Sequence, residues 1–373
     1  MFRPRTCLYA LCLTLVITTI ATAQKARIDF LLSGHSLTDE PIGQMVHDIA
    51  TSRGHEVGWQ RQNGIGSPIF TRTLGHRGDP RDPVGQPWTG YASARGRDGE
   101  AIDLVRELRR PATIGGETYT HLVVAERHDS LSVVQWENTV PLLRHFYELA
   151  REGSPDVKGY FFTTWADVAG VGSSKADPAG WVRYERAQLR FWEAVVSRIN
   201  DSLAREKRPD RLATLPASGA LAELVHRATT GKVKGVTGGT VRQTMDALFS
   251  DDVHQTMLGR YYVACVTYAC ITRQSPVGAT HPPEVSREAA ASLQAIAWEY
   301  VSDYYRGKPQ GPHHDFAARA ESARAFVPMF WAYRGRPEQS EQSVRFFTRA
   351  TLENPLWTST NVDESQYWFP RLP

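Results

Sequence analysis

The chain has 373 residues, with 43 Lys and Arg against 40 Asp and Glu, a formal charge of +3, and 41% hydrophobic residues. That balance, with no basic run interleaved with aromatics, excludes a nucleic-acid binder. The length fits one α/β domain with appendages, and no internal repeat or low-complexity linker divides it.

Residues 1–23 read as a secretory signal: Arg3 and Arg5, an apolar run over 8–20, then Ala21-Thr22-Ala23 before Gln24. Cleavage there predicts export to the periplasm or the medium. The apolar run is short for a membrane span, so no stable membrane insertion is expected after cleavage. Removal takes Cys7, Cys12 and two arginines, and the formal charge falls to +1.

A strand is expected over 27–32, ended by Ser33-Gly34, with Ser36 at a strand-to-helix elbow and a helix over 41–53. A polar, Gly- and Pro-rich insertion over 60–95 follows, containing Trp88-Thr89-Gly90-Tyr91. Next come a helix over 101–109, a buried strand over 120–125, a helix over 133–151, a strand over 158–163 and an amphipathic helix over 181–204. A strand at 211–215 and a helix at 217–229 precede Ser250-Asp251-Asp252-Val253-His254, which opens an apolar helix bearing Met257, Leu258, Tyr261 and Tyr262. If that helix is continuous, Cys265 and Cys270 lie on different faces, beyond disulfide reach, as buried thiols. Helices are expected over 284–306 and 316–334, then an aromatic tail that packs onto its own domain. Asn200-Asp201-Ser202 fits a glycosylation triplet but falls inside a predicted helix. Strands alternating with helices predict a mostly parallel sheet covered on both faces.

A serine hydroxyl becomes a nucleophile only when a base takes its proton, and a helix N-terminus beside it offers N–H groups to an oxyanion. Asp251 and His254 have the spacing to supply that base: a carboxylate can hold one imidazole nitrogen while the other faces Ser36. Ser36, Asp251 or Asp252 could instead be N-caps, and His254 a core histidine.

Gly34-His35-Ser36-Leu37 and Leu248-Phe249-Ser250-Asp251-Asp252-Val253-His254 stand in order at opposite ends of a domain-sized span. They resemble the nucleophile block and the terminal Asp-x-x-His block of the SGNH (GDSL-type) esterase and lipase superfamily. The resemblance implies a flavodoxin-like three-layer α/β sandwich over 24–275, and a mainly helical extension over 276–373 packed on it. It also implies a triad of Ser36, Asp251 and His254, and an oxyanion hole of the Ser36 N–H, Gly64 (with Gly66 as alternative) and a side chain from a Gly-x-Asn-Asp block. Glu126-Arg127-His128-Asp129 stands at that block without the asparagine. His128 takes its position, and Glu126 is the alternative, orienting a donor.

The expected function is an exported ester hydrolase that removes O-acetyl or other short acyl groups from a carbohydrate. Its substrate would be a small-molecule or glycan ester, and it would need neither cofactor nor metal. Gly311-Pro312-His313-His314-Asp315 has metal-binding residue types but lacks the remaining ligands. A lipase or thioesterase, an acyltransferase using the same triad, and a non-catalytic glycan-binding protein on the same scaffold are the alternatives.

Overall fold

The computed structural model describes residues 27–75, 90–111, 113–114, 118–231, 233–306 and 316–353. The expected signal segment, Trp88, the 311–315 cluster and the aromatic tail lie outside these residues.

In chain order the elements are β1 (Ile28–Gly34), a 3-10 turn (Ser36–Thr38), α1 (Ile42–Ser52), β2 (Val57–Asn63), α2 (Ile69–Leu74), β3 (Ala94–Arg95), β4 (Ala101–Ile102) and α3 (Leu104–Arg109). There follow β5 (His121–Ala125), α4 (Ser130–Trp136), α5 (Thr139–Gly153), β6 (Lys158–Phe162), α6 (Ala179–Arg205), β7 (Leu212–Leu215) and α7 (Ala217–Thr229). The chain continues through α8 (Val241–Leu248), α9 (Met257–Thr272), α10 (Arg287–Tyr305), α11 (Phe316–Tyr333) and α12 (Ser340–Glu353).

One sheet carries the strands in the order β4-β3-β2-β1-β5-β6-β7. The five strands from β2 to β7 run parallel, and the two-residue β3 and β4 add an antiparallel edge. Every residue of β1 and β5 is buried, as central parallel strands covered on both faces require. Helices pack in two series, α1 against α9 and α9 against α10, and α3 against α5 and α5 against α6. In α1 the buried Ile42, Met45, Val46, Ile49 and Ala50 recur at helical spacing, so one stripe faces the core. Among the described residues no helix is long and apolar enough to cross a membrane.

Three expectations change. The insertion does not begin at 60, because β2 runs through Asn63 beside β1. Its polar look comes from Gln60 and Gln62, which are buried because they are hydrogen-bonded: Gln60 Oε1 accepts from the Arg97 N–H at 2.6 Å, and Gln62 bridges Ser33 and Arg72. The helix expected over 133–151 is two helices, α4 and α5, broken where buried Asn138 adopts a left-handed φ of 53°. Finally, the helix expected over 101–109 starts only at Leu104, because Ala101–Ile102 pairs with Ala94–Arg95 as β4; Tyr91 of the insertion is buried, edge-on to Phe146 and within 3.0 Å of His145 Nδ1.

The helices α10 to α12 pack against the earlier elements. α11 lies along α6, with Phe326 set edge-on to Tyr184 at 5.2 Å. Trp331 Nε1 donates to Ser343 Oγ at 2.8 Å, which donates to Gln135 Oε1 on α4 at 2.7 Å. Cys265 and Cys270 are free and buried on the continuous helix α9.

Candidate active site

Counting only the parallel strands, the order is 2-1-3-4-5, and the direction of crossover reverses between β1 and β5. Ligands in such sheets sit outside the carboxyl ends of the strands at that reversal. Ser36 follows β1 there, and Glu126 follows β5.

The elbow at Ser36 is built by its neighbours. His35 is fully buried, and its Nε2 donates to the Glu126 carbonyl at 3.0 Å. Burial, then the Arg72 guanidinium, pushes the His35 imidazole down to about 3, so it is neutral and caps the turn that carries Ser36. Gly34 is glycine for steric reasons, since a Cβ there would sit 1.8 Å from Thr38 Oγ1. The Ser36 N–H, at the open start of the 3-10 turn, donates to none of the described residues.

Asp251 and His254 come from the loop between α8 and α9. A bridge between Phe249 and Gln255 closes that loop, and the Ser250 N–H donates to the His254 carbonyl at 2.9 Å. From the segment after β6, Trp165 Nε1 donates to the Val253 carbonyl at 2.8 Å and the Val168 N–H to the Asp252 carbonyl at 2.9 Å. The loop is thereby pinned on two sides.

The result is a linear relay. Ser36 Oγ lies 3.0 Å from His254 Nε2, and His254 Nδ1 lies 2.7 Å from Asp251 Oδ2. The other Asp251 oxygen accepts from the N–H groups of His254 at 2.6 Å and Val253 at 2.8 Å. Partial burial raises the Asp251 pKa, but these N–H groups and then the imidazole outweigh it and hold the carboxyl at about 2. Asp252 contributes its carbonyl to Val168, so the register Asp251-x-x-His254 is the one that meets Ser36.

The expected oxyanion donors fare differently. The Gly64 N–H donates to the Gly34 carbonyl at 3.0 Å, continuing the β1–β2 ladder, and is therefore not free for an oxyanion; this corrects its assignment. Gly66 is exposed, with φ of 65° in a turn closed by the Ser67 N–H on the Gly64 carbonyl at 3.0 Å. His128 lies among Asp129, Arg334, Asp167 and Arg127, where burial above all lowers its pKa, and neither Ser36 nor His254 hydrogen-bonds it.

Glu126 is a fully buried hub. Its carboxyl accepts from the N–H groups of Ile69 at 3.0 Å and Arg127 at 2.7 Å and from Thr139 Oγ1 at 2.6 Å. Burial, opposed by Arg72 and these donors, raises its pKa.

Arg72 on α2 is a structural member of the site that its sequence setting conceals. It is fully buried, and burial, opposed by Glu126, lowers it to about 10, so it stays charged. Its Nε donates to Ser33 Oγ at 3.1 Å, Nη1 to the Ser67 carbonyl at 2.6 Å, and Nη2 to the Ala125 carbonyl. One cation thus ties the ends of β1 and β5 to the loop after β2. Its signal in the sequence is faint: an arginine one turn after Ile69 on the buried side of a short helix, and an acid directly after an apolar strand.

Among the described residues, no three or more His, Cys, Asp or Glu side chains gather as metal ligands. Among the described residues the exposed large apolar side chains include Ile65 in the loop after β2 and Trp136 at the end of α4, at 66% and 49% of full exposure. A groove of about 570 Å³ runs between α1 and α9, from Pro41 and Met257 towards Ser52 and Thr280.

No protein-family model and no curated protein matches the chain. The crystal structure of a DUF4886 family protein from Bacteroides uniformis ATCC 8492 is similar over 76% of this chain and 96% of that one, at 15% identity and a TM-score of 0.48.

Proposed function

We propose that the protein is an exported serine ester hydrolase of the SGNH type, with Ser36 as nucleophile, His254 as base and then acid, and Asp251 as the carboxylate that orients it. The observation that carries this is the unbroken line from Ser36 Oγ through both imidazole nitrogens to Asp251, at 3.0 and 2.7 Å. A structural serine cap does not require such a line, and it supplies what a hydroxyl nucleophile needs. Asp251, ionised at neutral pH, keeps the proton of neutral His254 on Nδ1 and leaves Nε2 free to accept from Ser36. Attack on an ester gives a tetrahedral intermediate; loss of the alcohol gives an acyl-enzyme, which water then cleaves by the same steps.

A short acyl group on a carbohydrate is the substrate we favour. Trp136 offers a half-exposed ring next to Glu137, which Arg127 holds at 2.8 Å, and an aromatic face beside hydrogen-bonding groups suits a sugar. A second reading, a longer acyl chain, is favoured by the groove that begins at Pro41 and Met257, close in sequence to Ser36 and His254. Hydrolysis of p-nitrophenyl acetate by the purified mature chain tests the activity. A rate that falls steadily from acetate to octanoate supports the first substrate, and a rate that rises supports the second. No turnover of any ester would overturn the proposal.

A further inference from the structure

The segment over 164–168, which follows β6, reaches both ends of the Ser36–His254 pair. Towards His254, Trp165 Nε1 and the Val168 N–H donate to the carbonyls of Val253 and Asp252, at 2.8 and 2.9 Å. Towards Ser36, Thr164 Oγ1 donates at 2.8 Å to the Glu126 carbonyl, the same acceptor that His35 Nε2 meets at 3.0 Å. A shift of this segment therefore disturbs the distance between Ser36 and His254.

One face of α6 grips the segment. Trp181, Glu185, Gln188 and Trp192 follow one another by four, three and four residues, the spacing of a single helix face, and all four are fully buried. Trp181 Nε1 donates to the Ala166 carbonyl at 2.7 Å, and Gln188 Nε2 and Trp192 Nε1 donate to the Thr164 carbonyl at 2.7 and 3.4 Å. Glu185 accepts instead: its Oε1 takes the Ala166 N–H at 2.8 Å.

Two oxygens of this face lack partners. Glu185 Oε2 and Gln188 Oε1 are both buried without one, a single turn apart. Two acceptors cannot satisfy each other. A proton on Glu185 Oε2, donated to Gln188 Oε1, satisfies both, whereas an ionised carboxylate would be buried with one hydrogen bond. We infer that Glu185 is a positioning residue for the triad, a protonated acid that accepts from Ala166, donates to Gln188 and so fixes the segment joining Ser36 to His254; its link to turnover rests on Ser36 being the nucleophile. Burial, opposed by the Ala166 N–H and reinforced by Asp167, pushes the Glu185 carboxyl well above its ordinary range.

Glu185→Gln reproduces both hydrogen bonds, with a carbonyl for the Ala166 N–H and an amide N–H for Gln188 Oε1. It should keep kcat and KM on p-nitrophenyl acetate within a few-fold of wild type. Glu185→Leu deletes both bonds at similar size, and should lose about tenfold or more in kcat with KM nearly unchanged, because Ser36 and His254 move out of register. Infrared difference spectra of wild type and Glu185→Gln at neutral pH read the proton directly. The C=O stretch of a protonated carboxylic acid should be present in wild type and lost in the glutamine variant, a result that does not depend on the leucine variant folding. No such difference band, a folded Glu185→Gln as impaired as the leucine variant, or a folded Glu185→Leu with wild-type kcat overturns the inference. Ser36→Ala separates the two claims: if it stays active the triad reading fails, whereas an inactive Ser36→Ala beside a fully active Glu185→Leu overturns only the role of Glu185.

Discussion

Asp251 and Asp252 are adjacent acids with different tasks. The carboxylate of Asp251 holds the imidazole, while Asp252 uses its backbone carbonyl, which survives a side-chain change. Asp251→Asn should therefore lower kcat by roughly a thousandfold or more, and Asp252→Asn should stay within a few-fold of wild type, as steady-state ester hydrolysis will show. With Asp251 held at about 2, its own protonation should contribute nothing to the pH dependence of kcat/KM above about pH 4. His35 makes a separate prediction about stability. Its folded-state pKa of about 3 lies below the unfolded value, so the folded protein binds fewer protons in between, and stability must fall as pH drops from about 6.5 to 3. Over that window a shift of this size corresponds to on the order of 5 kcal/mol. Denaturant unfolding across this pH range should show the slope, and His35→Asn should flatten it; equal slopes in both proteins would place the acid sensitivity elsewhere.

At the scale of elements, the site depends on strand ends and loops held in register by Arg72 and Glu126. Removing the Arg72 guanidinium leaves the buried Ser33 hydroxyl and the Ser67 and Ala125 carbonyls without their donor and Glu126 without a nearby cation, at about 3–5 kcal/mol in all. Arg72→Met should lower the unfolding free energy by that amount and lower kcat as well, because the loop after β2 and the end of β5 lose a common anchor. A variant as stable as wild type in urea would show that the cation is dispensable. These elements also mark what sequence pattern conveys. β1, β5, β6 and the helices α6 and α7 carry apolar runs or stripes that period alone identifies. β2 does not, since two of its three buried positions are glutamines whose burial depends on Ser33, Arg72 and Arg97, residues outside the strand. The break between α4 and α5 rests on one left-handed asparagine with no glycine or proline beside it.

For the molecule as a whole, the triad was legible because its chemistry is local: an elbow serine at one end and an Asp-x-x-His turn at the other each announce themselves. Arg72 was not, because its place at the ends of β1 and β5 follows from contacts between segments that only the folded sheet brings together. The same holds for α11 and α12, whose docking on α6 and α4 turns an extension of unspecified role into part of the packed body that carries Gln135 and Trp136. The central claim, that this fold delivers an activated serine at position 36, is tested most directly by labelling the intact protein with a fluorophosphonate and mapping the adduct by mass spectrometry. One adduct per chain, on Ser36, absent in Ser36→Ala and formed at least a hundredfold more slowly in His254→Ala, is the result the account predicts. No adduct in the folded wild-type protein, or one that persists in Ser36→Ala, would contradict it.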